Sequence, residues 1–260
     1  KIFDTIKQLM NLTMFCKKVN IPFEVYAFNN GRWDREKQQG AKAKYQDNDL
    51  SIDETFRMLN FISSRMNAKE YEQGMTNLYA LGKNRDVSNY HYRRFRHQTQ
   101  QEIDEHNLWA QLPHPPQGYG LSSTPLNDTI MAAMKMVKEF QLKYSIDKMN
   151  TVFLTDGMSD GNERKVLTDP EDIKEFLKSK DYFDNHTDTR IAKTKHLSYE
   201  SNHILVDKQT KRQTLLPSYG REDLTDALLR ALKERTHSKV IGFFIESKKR
   251  ISVQTLDQYF

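Results

Sequence analysis

Two short segments hold the side chains best suited to chemistry. Ser123-Thr-Pro-Leu126 offers the Thr124 hydroxyl, and Leu154-Thr-Asp-Gly157 offers the Asp156 carboxylate. Both are hard oxygen donors, of the kind taken by Mg2+, Mn2+ and Ca2+. Each has a plain structural reading. Thr124 followed by Pro125 makes a good helix cap and first helical residue. Asp156-Gly157 makes a turn. Their positions raise the pair above either part. Asn150–Thr155 reads as a strand buried on both faces of a parallel sheet. Leu126, Ile130, Ala133, Val137 and Tyr144 mark one face of a long helix. In an open parallel sheet, strand carboxyl ends and helix amino ends share the rim where ligands bind. Thr124 and Asp156 are therefore expected on one rim. Ser123 and Gly157 would shape the two loops, with Gly157 letting the backbone turn close to an ion.

A second cluster points elsewhere. Tyr90, Tyr92, Arg93, Arg94, Phe95 and Arg96 interleave rings with cations, and such sets stack on single-stranded bases and neutralise phosphates. The plainer reading is a partly packed segment with a solvated basic face, so nucleic-acid binding stands as the alternative. Other chemistries find less support. Asp156-Gly-Met-Ser-Asp-Gly161 has Met158 at the third position of a would-be EF-hand loop and lacks Glu at the twelfth. Gly118-Tyr-Gly120 lacks the Gly-Lys-Ser/Thr of a phosphate loop. The eight histidines are scattered and there is one cysteine, so zinc spacing is absent. Asp156, Asp160 and Glu163 would serve a metal hydrolase, but the loop alone does not make one. No catalytic residues are expected.

The elements that must position these groups follow from pattern. Ile2, Ile6, Leu9, Thr13 and Cys16 lie at helical spacing, and Asn20 and Pro22 stop that helix. Phe23–Phe28 is short, aromatic and β-branched, and predicts a strand. Residues 29–52 are polar and predict a surface loop. Phe56, Leu59, Ile62 and Met66 predict a helix over 53–66, and a second helix is predicted from Ala68 to Leu81. Residues 82–117 are the most irregular. A helix is predicted near 169–179. His203–Val206 and Gln213–Leu216 predict a hairpin around Asp207–Arg212. Leu224, Leu228 and Leu232 predict a helix over Arg221–Thr236, and Lys239–Ile245 predicts another buried strand. Alternating helices and apolar strands imply an α/β fold with a doubly wound, mostly parallel, Rossmann-like sheet. The sheet domain would comprise 1–28 and 118–260, with 29–117 a largely helical and loop insertion.

Bulk properties narrow the class. The 260 residues suit one large α/β domain or one domain with a large insertion. A 37% hydrophobic content and 29% charge imply a core diluted by solvated segments. The formal charge of +5 reflects 40 basic against 35 acidic residues, an ordinary solubility balance that leaves room for an anionic partner. No signal-peptide pattern and no run of about 18 apolar residues is visible, and Cys16 cannot form an internal disulfide, so a cytoplasmic setting is expected.

A helix leading into Phe-Glu-Val-Tyr-Ala-Phe, then Ser-Thr-Pro-Leu-Asn-Asp-Thr, then Val-Phe-Leu-Thr-Asp-Gly, resembles the von Willebrand factor type A (VWA) family. The resemblance covers roughly 1–28, 120–160 and 221–245. It implies a metal-ion-dependent adhesion site with Thr124 and Asp156 as metal ligands and Mg2+, or else Mn2+ or Ca2+, as the cation. The family's Asp-x-Ser-x-Ser motif does not precede the first helix. The only Asp-x-Ser nearby, Asp49-Leu-Ser51, falls after the predicted second strand. The motif and the first central strand are therefore expected upstream of Lys1. Phe61-Ile-Ser-Ser-Arg-Met-Asn67 and its following helix are similar to phage members of the cytoplasmic bacterial and phage branch. That branch resembles the VWA subunit of cobaltochelatase, which works beside MoxR-type AAA+ ATPases, in the bacterial host cytoplasm where phage-encoded. The resemblance thus implies a protein-binding module, a non-catalytic subunit of an ATP-dependent chelatase-like complex.

Overall fold

Each of three helices hands the chain to a strand through a left-handed residue that is not glycine. Helix α1 (Ile2–Lys18) ends at Asn20, with φ of 56°. There the Ile21 N–H donates to the Cys16 carbonyl at 2.9 Å and the Asn20 N–H to the Lys17 carbonyl at 3.3 Å. This closes the helix as a Schellman motif and leads into β1 (Glu24–Asn30). In the computed structural model, residues 2–30, 48–53, 56–92, 123–155, 159, 163–166, 193–197, 200–218 and 221–244 are described.

The remaining elements, in chain order, are β2 (Leu50–Ser51), β3 (Phe56–Ser63), α2 (Ala68–Tyr92), α3 (Leu126–Tyr144), β4 (Asn150–Thr155), β5 (Glu163–Val166), β6 (Lys193–His196), β7 (His203–Val206), β8 (Gln213–Leu216), α4 (Arg221–Thr236) and β9 (Lys239–Phe244). Helix α3 closes at Ser145, with φ of 50°, and leads to β4. Helix α4 closes at His237, with φ of 52°, and leads to β9. The protein is thus mixed α/β, with four helices and four small sheets among the described residues.

Strands β4 and β9 are parallel, with Asn150 opposite Lys239 and Thr155 opposite Phe244. The other described pairings, β1–β3, β2–β5–β6 and β7–β8, are antiparallel. Among the described residues, the parallel character expected from sequence is therefore confined to β4–β9. That pair is also less enclosed than expected. Phe153 packs inward, but Val152 is 40% exposed and Phe243 53% exposed, so one face is only partly covered.

One expected helix is a strand. Residues 56–63 pair antiparallel with β1, with Ile62 opposite Val25 and Leu59 opposite Ala27. The helical spacing of Phe56, Leu59, Ile62 and Met66 is outweighed by the cross-strand partners that β1 supplies. The true helix start lies just beyond. Asn67 Oδ1 accepts the Glu70 N–H at 3.0 Å, and Glu70 Oε2 accepts the Asn67 N–H at 3.0 Å. This reciprocal capping box starts α2, which runs past Leu81 to Tyr92. Strand β2 falls inside the expected 29–52 loop, and β5 and β6 were not foreseen. The helix expected near 169–179 lies outside the described residues. The hairpin β7–β8 and helix α4 form where the sequence predicts them.

Two apolar clusters hold these elements. In the first, Ile6 of α1, Phe61 and Ile62 of β3, and Leu78 and Leu81 of α2 are buried together. Gly74 allows α2 to lie directly on β3, because an added Cβ would stand 2.6 Å from the Phe61 carbonyl oxygen. In the second, Ile130, Met134 and Val137 of α3 meet Phe153 of β4 and Leu224, Leu228 and Leu232 of α4. Phe28 of β1 packs against this second cluster, while Val25 and Ala27 pack against the first. Strand β1 therefore touches both. No helix among the described residues is long and apolar enough to cross a membrane.

The β7–β8 hairpin is pinned to α4 by one carboxylate. Asp207 Oδ1 accepts the Gln209 and Thr210 N–H groups at 2.7 and 3.0 Å and Arg235 Nη2 at 2.8 Å, while Oδ2 accepts Arg235 Nε at 2.8 Å. Burial pushes this carboxyl up, but the Arg235 guanidinium and the two backbone N–H groups overcome it and hold it down at about 2.

Two predictions follow from these contacts. Because the folded Asp207 titrates below its ordinary value, its contribution is complete above pH ~4 and is lost as pH falls from ~4 towards ~2. The full effect is about 2 kcal/mol. In urea titrations at pH 5 and pH 2.5, Asp207→Asn is expected to lose about that much of the pH-dependent stability; an unchanged pH slope would refute the pairing. Separately, Ser145→Gly relieves a left-handed residue and is expected to stabilise by about 0.5–1 kcal/mol in the same assay.

Candidate functional site

The amino end of α3 is a buried, hydrogen-bonded polar region. Pro125 occupies the cap position and makes no side-chain cap hydrogen bond. The sequence predicts Thr124 as the cap and Pro125 as the first helical residue; instead the helix begins one residue later. Proline has no N–H and no polar side chain, so the orphan amides of the first turn need acceptors from elsewhere. These amides cannot turn to water, because Asn127, Asp128 and Thr129 are all buried.

Three other segments supply what the first turn lacks. Ser159, beyond the carboxyl end of β4, accepts the Asn127 N–H on its Oγ at 3.0 Å. Thr225 of α4 donates its hydroxyl to Asn127 Oδ1 at 2.7 Å. Thr129 donates its own hydroxyl back to the Pro125 carbonyl at 2.8 Å. Just ahead of the helix, Ser123 Oγ accepts the N–H of Asn30, the last residue of β1, at 3.1 Å. The carboxyl end of β1, the Ser123-Thr124 loop and the segment after β4 thus meet at one place.

Thr124 stands half-buried in the middle of this junction, with its carbonyl accepting the Leu126 N–H at 2.8 Å. Ser123 is half-buried beside it. Asp156 and Gly157 lie outside the described residues. Thr155, the last residue of β4, and Ser159 bracket them, and Ser159 is in contact with α3. The structure therefore brings Ser159, a residue that the sequence reading passed over, against the helix that follows Thr124.

The donors described here are suited to a hard cation. They comprise the hydroxyls of Ser123, Thr124 and Ser159 and the Asn30 side-chain oxygen, all oxygen atoms. Asn30 Oδ1 is buried with no hydrogen-bond partner among the described residues. Asp128 is a buried carboxylate in the first turn of α3, where the helix dipole favours negative charge. No group of three or more His, Cys, Asp or Glu side chains is gathered for a metal among the described residues.

The alternative cluster contributes less to the picture. Tyr90 and Tyr92 belong to the last turns of α2. Arg93, Arg94, Phe95 and Arg96 lie outside the described residues.

Asn30, Asn127, Ser159 and Thr225 were missed in the sequence. The run Leu-Asn-Asp-Thr after a proline is a usable signal for Asn127 alone, since a polar first turn needs outside partners when the helix enters a core. Nothing in the sequence pairs Thr225 with Asn127 in advance.

Ser123→Ala leaves the Asn30 N–H without its acceptor in a part-buried place. Urea unfolding is expected to register a loss of about 1–2 kcal/mol, and a loss under about 0.3 kcal/mol would mean that water replaces the hydroxyl. Comparison of the chain with models of known protein families, with curated proteins and with solved structures found no match.

Proposed function

We propose that the chain is a metal-ion-dependent protein-binding module of VWA type, with a divalent cation, Mg2+ first, held at the rim by Thr124 and Asp156. One observation carries this reading: the Ser159 hydroxyl on the Asn127 amide at 3.0 Å. It ties the segment that follows Asp156 to the helix that follows Thr124. Ser123 and Gly157 are the supporting loop residues.

The fold of that module would be a doubly wound sheet with β1–β3 on one side and β4–β9 on the other. Support comes from strand β1, which packs Phe28 against the β4 cluster and donates its last amide to Ser123. Support also comes from three helix-to-strand joints of the same left-handed kind.

Few charged ligands leave the bound cation with much of its positive charge and an open coordination position. A carboxylate from a partner protein then completes the octahedron, so cation and partner bind together. The partner class that the VWA resemblance suggests is a MoxR-type AAA+ ATPase, with this chain as a non-catalytic subunit in the cytoplasm.

The test is Mn2+ binding to the full-length protein, followed by isothermal titration and by the relaxation of water protons. One site is expected. Asp156→Ala is expected to weaken it by at least about 100-fold and Thr124→Val by about tenfold. Absence of binding in the unaltered protein, or equal binding by Asp156→Ala, would overturn the reading. A steep salt dependence of single-stranded DNA binding, lost when Arg93, Arg94 and Arg96 become Ala, would instead favour the nucleic-acid alternative.

A further inference from the structure

We propose that the carboxyl-terminal end of α1 is a docking surface for an anionic lipid membrane, which it meets peripherally through Leu12, Phe15 and Val19 with Lys18 set beside them. The surface stands apart from the rim site and does not depend on it.

Helix α1 is apolar over more of its circumference than its neighbours cover. Its packed side carries Phe3, Ile6 and Thr13, all buried. Ile6 packs against β3 and α2, and the Phe3 ring meets Tyr79 of α2 edge-on at 5.0 Å. Near the end of the helix Lys17 fastens the same side: its Nζ donates to the Met66 carbonyl at 3.1 Å and lies 4.3 Å from the centre of the Tyr71 ring. The helix is thus held with its other side outward. Leu12, Met14, Phe15, Val19 and Ile21 are left exposed there, Phe15 the most at 57%. Of the eleven large apolar side chains exposed among the described residues, these five fall within residues 12–21. An apolar concentration of this kind marks a contact surface.

The shape of the patch favours lipid as its cover. At 3.6 residues per turn, Met14, Lys18, Phe15, Val19 and Leu12 follow one another round about 160° of the helix. A partner helix takes a narrower seam. Lys18 is exposed and lies between Met14 and Phe15 in this arc. A protein partner would have to strip it of water. At a bilayer its stem lies along the apolar layer while the ammonium reaches the headgroups. Charge points the same way. From Thr5 to Phe23 the chain carries Lys7, Lys17 and Lys18 and no acidic residue. A two-fold contact with a second copy would set these cations against one another. Anionic headgroups neutralise them, and apolar contact joined to such attraction is how interfacial helices bind.

The experiment is flotation of the full-length protein with two kinds of vesicle, phosphatidylcholine alone and phosphatidylcholine with about 30% phosphatidylserine. Binding to the anionic vesicles is expected, and to be at least about fivefold weaker without phosphatidylserine. Phe15→Ser is expected to weaken it by at least about tenfold and Lys18→Ala by about fivefold. Both side chains are exposed, so thermal melting is expected to stay unchanged. Leu142→Ser removes an apolar side chain that is more exposed still but lies on α3, and is expected to bind as the unaltered protein does. Absence of binding to either vesicle, binding indifferent to phosphatidylserine, or equal binding by Phe15→Ser would overturn the proposal. Self-association that Phe15→Ser abolishes, without vesicle binding, would assign the patch to a second copy and overturn it as well.

Discussion

A buried polar helix turn is the constraint around which the second half of the molecule is built. Asn127, Asp128 and Thr129 bring amides, a carboxylate and a hydroxyl into a place without solvent. An unpaired buried amide costs about 1–3 kcal/mol, a large share of the margin by which a domain stays folded. The chain meets this cost with partners drawn from distant positions: Ser159 from beyond β4 and Thr225 from α4. Ser123, one turn earlier, does the same for the end of β1. Satisfying one helix end therefore draws several segments to a single rim. That rim is where oxygen donors collect.

The apolar clusters set the frame for this convergence but do not choose its location. Leucines along α4 and the Ile130 face of α3 would pack with many rotations about the helix axes. Hydrogen bonds are directional, and a 2.7 Å bond from Thr225 to Asn127 admits one register. The same division of labour appears in the hairpin. Its apolar contacts with α4 are modest, with Leu205 and Leu216 turned inward, while the bidentate Arg235–Asp207 pair fixes where the turn sits. The exposed pairs Arg212–Glu234 and Lys208–Asp49 add little beside it.

Much of this was legible in the sequence where a local signal and the tertiary outcome agree. Helix α1 was readable from its spacing and from Asn20 and Pro22, and α4 from its leucines. The hairpin was readable from two apolar runs around a polar turn. Strand β3 was not readable, because Phe56, Leu59, Ile62 and Met66 carry a helical period and only the pairing with β1 overrides it. The Asn67-x-x-Glu70 capping box was the local clue that the helix starts later. Strands β2, β5 and β6 are short, and their pairing is long-range, so no local pattern marks them. At the candidate site, Thr124 and Ser123 were found from residue type and position. Ser159 was not, because a serine that caps a helix from another loop leaves no periodic trace.

The electrostatics of the rim give its proposed chemistry a direction. The amino end of α3 carries about half a positive charge from its aligned peptide dipoles, which opposes a cation placed there. Asp128 in the first turn offsets part of that charge from within the fold. The hydroxyls of Ser123, Thr124 and Ser159 add lone pairs without adding charge. A divalent ion held by these groups and one further carboxylate would remain net positive, and the helix end behind it would reinforce that sign. The favourable next ligand is then an anion from outside. Under the proposed reading, a rim weakly charged in its own ligands and backed by a helix amino end would draw a partner's carboxylate to the ion.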